Sequence, residues 1–244
     1  MPTRDIASNR SYAKFPYPYD VEALGLGPVS YWPLDDSTAI AVDSSINEND
    51  AAYVGSTYIL GEPGIGDRSR SVRLNPGGGG GGDSINIYSA GFNSVFDGNE
   101  GSFGIWTKVN NAAEWDLGGY LMHIYSGEPN RHYITKIVSN SMRLFRKAGG
   151  TAQFPTLSGQ TELGWVHWLM TWSVGDDKQI AYKNGVVVNT KTSLGTYVGA
   201  LNGGLTKIGN FTTAAGYGGW MAKGIVFDRP VTAAEAIILG TVRT

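Results

Sequence analysis

From Trp165 to Val174 the chain alternates: Val166, Trp168, Met170, Trp172 and Val174 form one row, and Trp165, His167, Leu169, Thr171 and Ser173 the other. A period of two belongs to a β-strand, whose successive side chains leave opposite faces of the sheet, and the first row is predicted to face the core. Strand patterns also occupy 69–74, 84–88, 102–109, 119–125, 131–138 and 141–146. Asn184-Gly185, set between Ile180–Tyr182 and Val186–Val188, predicts a hairpin with a type I′ turn, because both central residues need positive φ. Only the final element reads as a helix. There Thr232 and Glu235 form a capping box, Ala233 to Leu239 supply the helix formers and Gly240 suits the following position. Strands that do not alternate with helices exclude a parallel sheet and predict an all-β, two-sheet antiparallel sandwich.

Two segments near the ends of the chain sharpen this. VSYWPLDD (29–36) followed by AVDSSINEND (41–50) reads as strand, turn, short strand and an Asp/Ser/Asn-rich loop, and GIVFDRPVTAAEAIIL (224–239) as strand, Pro turn and helix. Between them lie SFGIWTKV (102–109), GWVHWLMTW (164–172), IAYKNGVVV (180–188) and LTKIGN (205–210). In order and spacing, residues 29–240 resemble a laminin G-like domain of the concanavalin A-like lectin and glucanase superfamily. The resemblance implies a jelly-roll sandwich over residues 28–244 with its first and last strands side by side. It selects no ligand, because that sandwich carries lectins, glycosidases, lyases and adhesive modules.

The 244 residues suit one large β domain, and the absence of Cys removes any disulfide framework. MPTRDIASNR has no apolar stretch behind its charges, and no segment approaches the roughly 18 apolar residues of a membrane span, so neither export by a leader nor membrane insertion is expected. A net charge of −2 gives no footprint for nucleic acid. Only 16% of residues are charged, against about 25% in an ordinary soluble domain, which suggests a surface partly covered by a partner or by a second copy.

Residues 1–27 differ from the rest. KFPYPYDVEALGLGP (14–28) is rich in Pro and Tyr without alternation, and Pro16 and Pro18 favour an extended arm. Such an arm suits docking on a larger assembly through Phe15, Tyr17 and Tyr19, or else lies along its own sandwich. Gly77–Gly82 reads as a flexible loop or as a backbone surface for a neighbouring chain.

No catalytic constellation is complete. Laminarinase-type enzymes of the resembled superfamily use Glu-x-Asp-x-Glu on one strand, with carboxyls about 5 Å apart; here Glu114-Trp115-Asp116 lacks the third carboxylate. His123 and His132 with Tyr133 suggest a polysaccharide-lyase trio without its Arg/Gln companions, and His167 belongs to the family-like strand. The resemblance also implies a structural Ca²⁺ held by Asp43, Asn47 and Asp50, since calcium gathers about 6–8 oxygens from distant segments. Against it, Ile46 and Glu48 replace glycines, and Ala222-Lys223 stands where an acidic residue is usual; Asx turns are the competing role of the loop. For sugar stacking, the aromatics that alternation does not place inside are Trp115, Tyr120, Tyr217 and Trp220, with Asn210 beside them.

A laminin G-like domain without leader or cysteines, behind an aromatic arm, resembles modules on tailed-bacteriophage particles. The expectation is therefore a non-enzymatic virion surface protein, a head decoration or a tail fibre or spike component. It would be joined to other virion proteins by its arm and would contact host or environmental glycans. The alternatives are a structural cement without sugar binding and a bacterial polysaccharide-active enzyme or its carbohydrate-binding module.

Overall fold

Two antiparallel sheets face each other across an apolar core, the sandwich that the alternation predicts. The computed structural model describes residues 17–75, 82–211 and 217–242. In chain order its strands are β1 (Ser30–Trp32), β2 (Ile40–Ala41), β3 (Ala51–Val54), β4 (Ile59–Pro63), β5 (Arg70–Leu74), β6 (Ser84–Asn86), β7 (Glu100–Lys108), β8 (Gly119–Gly127) and β9 (Asn130–Ile137). They continue as β10 (Ser141–Ala148), β11 (Thr151–Gln153), β12 (Thr156–Leu157), β13 (Val166–Ser173), β14 (Lys178–Lys183), β15 (Val186–Lys191), β16 (Lys207–Gly209) and β17 (Gly219–Phe227). The α-helices are α1 (Pro18–Gly25), α2 (Ala90–Val95) and α3 (Ala233–Leu239). The first sheet runs β15-β14-β13-β7-β17-β5-β4, with β1 beside β17; the second runs β11-β10-β9-β8-β16-β6-β3-β2, with β12 beside β10. Tyr31 of β1 lies opposite Ile225 of β17, so the early and late strands close the fold side by side.

Val166, Trp168, Met170 and Trp172 enter the core between the sheets, as their alternation predicts. The other row of β13 is also buried. A second apolar layer covers the outer face of the first sheet: Tyr19 and Ala23 of α1 and Ala236 and Leu239 of α3 pack on Trp106, Leu169, Tyr182 and Ile225. This three-layer arrangement explains why β13 is apolar on both sides.

The same layer corrects the expected arm. Residues Pro18–Gly25 are helical rather than extended, with Pro18 at the start of the helix, where its fixed φ is already helical and its missing N–H costs nothing. Tyr19 is buried, with its hydroxyl donating to Leu239 O at 3.0 Å and its ring edge-on to Trp106, so it is closed to any partner. Tyr17 lies half-buried with Lys223 over its ring. Phe15 lies outside the described residues, as do Gly77–Gly81 of the glycine run. Lys223 sits at a bulge in β17 with φ 58° and is completely buried, its ammonium 2.7 Å from Asp20 of α1 and 3.6 Å from Asp67.

The predicted hairpin and cap form as their residues require. Asn184 and Gly185 have φ of 48° and 77°, and Thr232 and Glu235 complete the capping box. Gly240, expected in the left-handed region, has φ −91° instead. Its lack of a side chain serves packing: a Cβ there would lie 2.1 Å from Gly185 N, so the helix end rests directly on the hairpin turn.

Candidate functional site

The two sheets differ in what lies on their outer faces. Helices cover the first, whereas the second carries rings that belong to neither apolar layer. Strand register assembles them into three rows across β16, β8, β9, β10 and the strands beyond. The middle row runs Lys207, His123, Tyr133, Phe145. On one side runs Tyr125, Arg131, Lys147, Ala152, and on the other Tyr120, Thr135, Arg143, Thr156. A bulge between Tyr120 and Met122 sends Leu121 and Met122 both into the core and leaves Tyr120 on the outer face.

Within the rows the rings stack. Tyr133 and Phe145 lie 4.3 Å apart and 3° from parallel, and Phe154, 51% exposed, continues the stack at 6.4 Å. Phe211 closes over His123 at 3.8 Å and over Tyr120 at 5.1 Å. Arg131 and Arg143 lie over Phe145 and Phe154, each at 5.5 Å. Burial, with the neighbouring Tyr120, pushes the Tyr133 hydroxyl up to about 12, and burial pushes His123 down to about 3. The face therefore offers neutral rings, hydroxyl donors and guanidinium groups, and no base poised to take a proton.

Of the five residues expected to form a sugar site, only Tyr120 lies on this face. Trp115 and Tyr217, each 1% exposed, are core residues; the indole of Trp115 donates to Glu162 O at 2.8 Å and the hydroxyl of Tyr217 to Lys108 O at 2.8 Å. Asn210 is buried with its Oδ1 unpartnered. Trp220 is half-buried on β17 of the first sheet, away from this face, with Arg73 and Lys108 over its ring at 5.1 and 4.9 Å and its indole N–H donating to Glu62.

The chemical alternatives also resolve into structural roles. Glu114 and Asp116 lie on a 3-10 turn rather than a strand, and they accept from Asn110 and from the Ser139 N–H, so they do not converge as an acid and nucleophile. His132 faces the core, 4.4 Å from Trp172, on the opposite side of the sheet from His123 and Tyr133, which dissolves the lyase-like trio. His167 is fully buried beside Trp106 in the outer apolar layer. In the Asp/Ser/Asn loop, Asp43 accepts backbone N–H groups from Tyr31 and Ser45 at 2.8 Å and from Asn49 at 2.9 Å. Asp50 accepts the Asp43 N–H, and the Asn47 amide donates to Val29 O. These carboxylates are occupied by N–H donors that a calcium ion would have to displace, so the residues do not fit a calcium set; the loop is held by Asx bonds. No cluster of three or more metal-ligating side chains occurs among the described residues.

No family model matches the chain, and no curated protein matches it. Solved structures do. The binding domain of botulinum neurotoxin DC, in complex with SialylT, matches with a TM-score of 0.67 at 16% identity over 88% of this chain and 51% of the other. The same domain in complex with rat synaptotagmin II gives 0.66 at 15% identity over 89% and 52%. Domain 4 of AbnA, an extracellular GH43 arabinanase from Geobacillus stearothermophilus, in complex with arabinotriose, gives 0.62 at 15% identity over 88% and 98%. The chain thus spans about half the length of the neurotoxin domains it matches and nearly all of the arabinanase domain. At these identities the likeness establishes the fold alone, a two-sheet antiparallel β-sandwich.

Proposed function

We propose that this chain is a non-enzymatic glycan-binding module whose binding surface is the outer face of the second sheet. The observation that carries the reading is an aromatic strip on this face, in which the half-buried Tyr120 and the exposed Phe154 reach solvent and the buried Tyr133 and Phe145 hold them from beneath, edged by hydrogen-bond donors. Rings of this kind take the C–H face of a sugar while flanking polar groups fix its hydroxyls. The structural neighbours described in complex with arabinotriose and SialylT support it by analogy of fold. Binding of the chain to a broad glycan array is the test. A selective signal that falls about tenfold in Phe154→Ala, and is unchanged in Trp220→Phe, is expected; a folded protein that binds no glycan overturns the proposal.

The finer reading, a surface protein of a tailed-phage particle, is supported by the resemblance of a cysteine-free laminin G-like domain to modules carried on such particles. Mass spectrometry of purified particles tests it, and absence of the protein from them refutes it. No described helix is long and apolar enough to cross a membrane.

A further inference from the structure

We infer that the glycan taken by this face is anionic, with carboxylate or sulfate groups along the sugar chain; the inference rests on the glycan-binding reading above. The chain as a whole has a net charge of −2, yet the rows of the open face gather Arg131, Arg143, Lys147 and Lys207. Among the described residues, the only carboxylate joined to any of these four is Glu128, whose side chain is 72% exposed at the rim and pairs with Arg131 at 2.8 Å. Arg143 has no ion pair there, and its Nε, like that of Arg131, is buried without a hydrogen-bond partner.

These guanidinium groups are fixed in place by the rings beneath them. Arg143 lies over Phe154 and Arg131 over Phe145, and of the two only Arg131 has a carboxylate partner among the described residues, so the charge of Arg143 is left uncompensated. A planar guanidinium fork matches a carboxylate or sulfate better than it matches a hydroxyl.

Donor and acceptor counts point the same way. Arg and Lys side chains only donate, and the Thr135 hydroxyl, which donates to Gly119 O and Lys136 O, is buried and offers a ligand no acceptor. A neutral sugar needs donors and acceptors in comparable numbers to satisfy its hydroxyls. This face is rich in donors, so its complement is a ligand rich in acceptors. The apolar strip supplies the contact with the sugar rings and the flanking cations read the charges spaced along them. Unpaired positive charge on one face also raises the local concentration of a polyanion and speeds its capture at low salt.

The test uses pairs of polysaccharides that share a backbone and differ in charge: polygalacturonate against its methyl ester, and dextran sulfate against dextran. Titration calorimetry of the full chain is expected to show binding at least about tenfold tighter to one or both charged members than to their neutral partners. The first pair reports carboxylate recognition and the second sulfate recognition. Arg143→Gln and Lys207→Gln should each weaken that binding by about tenfold. Phe154→Ala should weaken it too, which a purely electrostatic attraction elsewhere on the surface would not show. Equal binding of charged and neutral members, or full affinity in Arg143→Gln, overturns the anionic preference while leaving the glycan reading in place. Charged binding untouched by Phe154→Ala also overturns it, because the charge would then be read away from this face. Silence toward all four polymers from a protein with native circular dichroism overturns the anionic preference, and the glycan array then decides the glycan reading by itself.

Discussion

Acidification should destabilise this protein well above the range in which exposed carboxylates titrate, and three histidines set the amount. His123, His132 and His167 are 1%, 0% and 0% exposed. Burial holds their imidazoles neutral, with His123 and His167 down to about 3 and His132 well below the ordinary 6.5, helped there by Arg146. In the unfolded chain the same groups titrate near 6.5, so as pH falls the unfolded state binds protons first. Native stability is therefore complete above about pH 6.5 and eroded below it. At about pH 5 His123 and His167 each remove about 2 kcal/mol, an amount fixed by the unfolded value because the folded one lies well under 5, and His132 acts in the same direction. Together His123 and His167 give about 4 kcal/mol. Asp36 opposes them: burial raises its carboxyl to about 6, so the folded state takes up that proton first and returns about 1 kcal/mol. The net loss of about 3 kcal/mol, to which His132 adds, is a large part of the whole stability of many domains. Urea unfolding followed by tryptophan fluorescence between about pH 7.5 and 5 measures it, and His167→Gln should shrink the drop by about 2 kcal/mol whatever its stability at neutral pH. A stability that stays flat over that interval, or a drop unchanged in His167→Gln, would refute the reasoning.

The buried cation of β17 should be the most sensitive point outside the core: Lys223→Met leaves Asp20 and Asp67 without their ammonium and is expected to cost about 3–5 kcal/mol by urea titration. Adding Asp20→Asn should recover part of that loss, and strict additivity would argue against the pairing. In the Asp/Ser/Asn loop, Asp43→Ala strands three backbone N–H groups and should lower stability by about 1–3 kcal/mol. EDTA, by contrast, should leave the melting temperature of the unmodified protein where it is, and a fall on chelation would restore calcium to the loop.

Much of the fold was legible because its information is local. Period-two alternation located the long strands, Asn184-Gly185 required its turn, and Thr232 with Glu235 required its cap. Helix α1 was not legible, because Pro18 fits both an extended arm and the first turn of a helix, and the choice was made by Tyr19 and Ala23 finding an apolar layer. The site was harder still. Tyr120, Tyr133 and Phe145 come together through the pairing of β8 with β9 and β9 with β10, and Phe154 joins them from the turn between β11 and β12 that pairs with β10, a register that no single strand encodes. The alternating outward positions Arg131, Tyr133 and Thr135, and Arg143, Phe145 and Lys147, were the available signal. Trp115 and Tyr217 misled for the converse reason: they sit in or beside loops, yet their rings complete the core from its ends.

Helices α1 and α3 lie in one layer, joined by the Tyr19 hydroxyl and Leu239 O, on the side of the sandwich away from the aromatic rows. The first and last described helices thus share one back. A tether joined near either helix would hold the molecule like a shield on an arm, its cationic, ring-lined side turned outward. Many copies fixed to one support by that back would present a dense array of identical faces, and modest single-site affinity would then be multiplied by the number engaged at once.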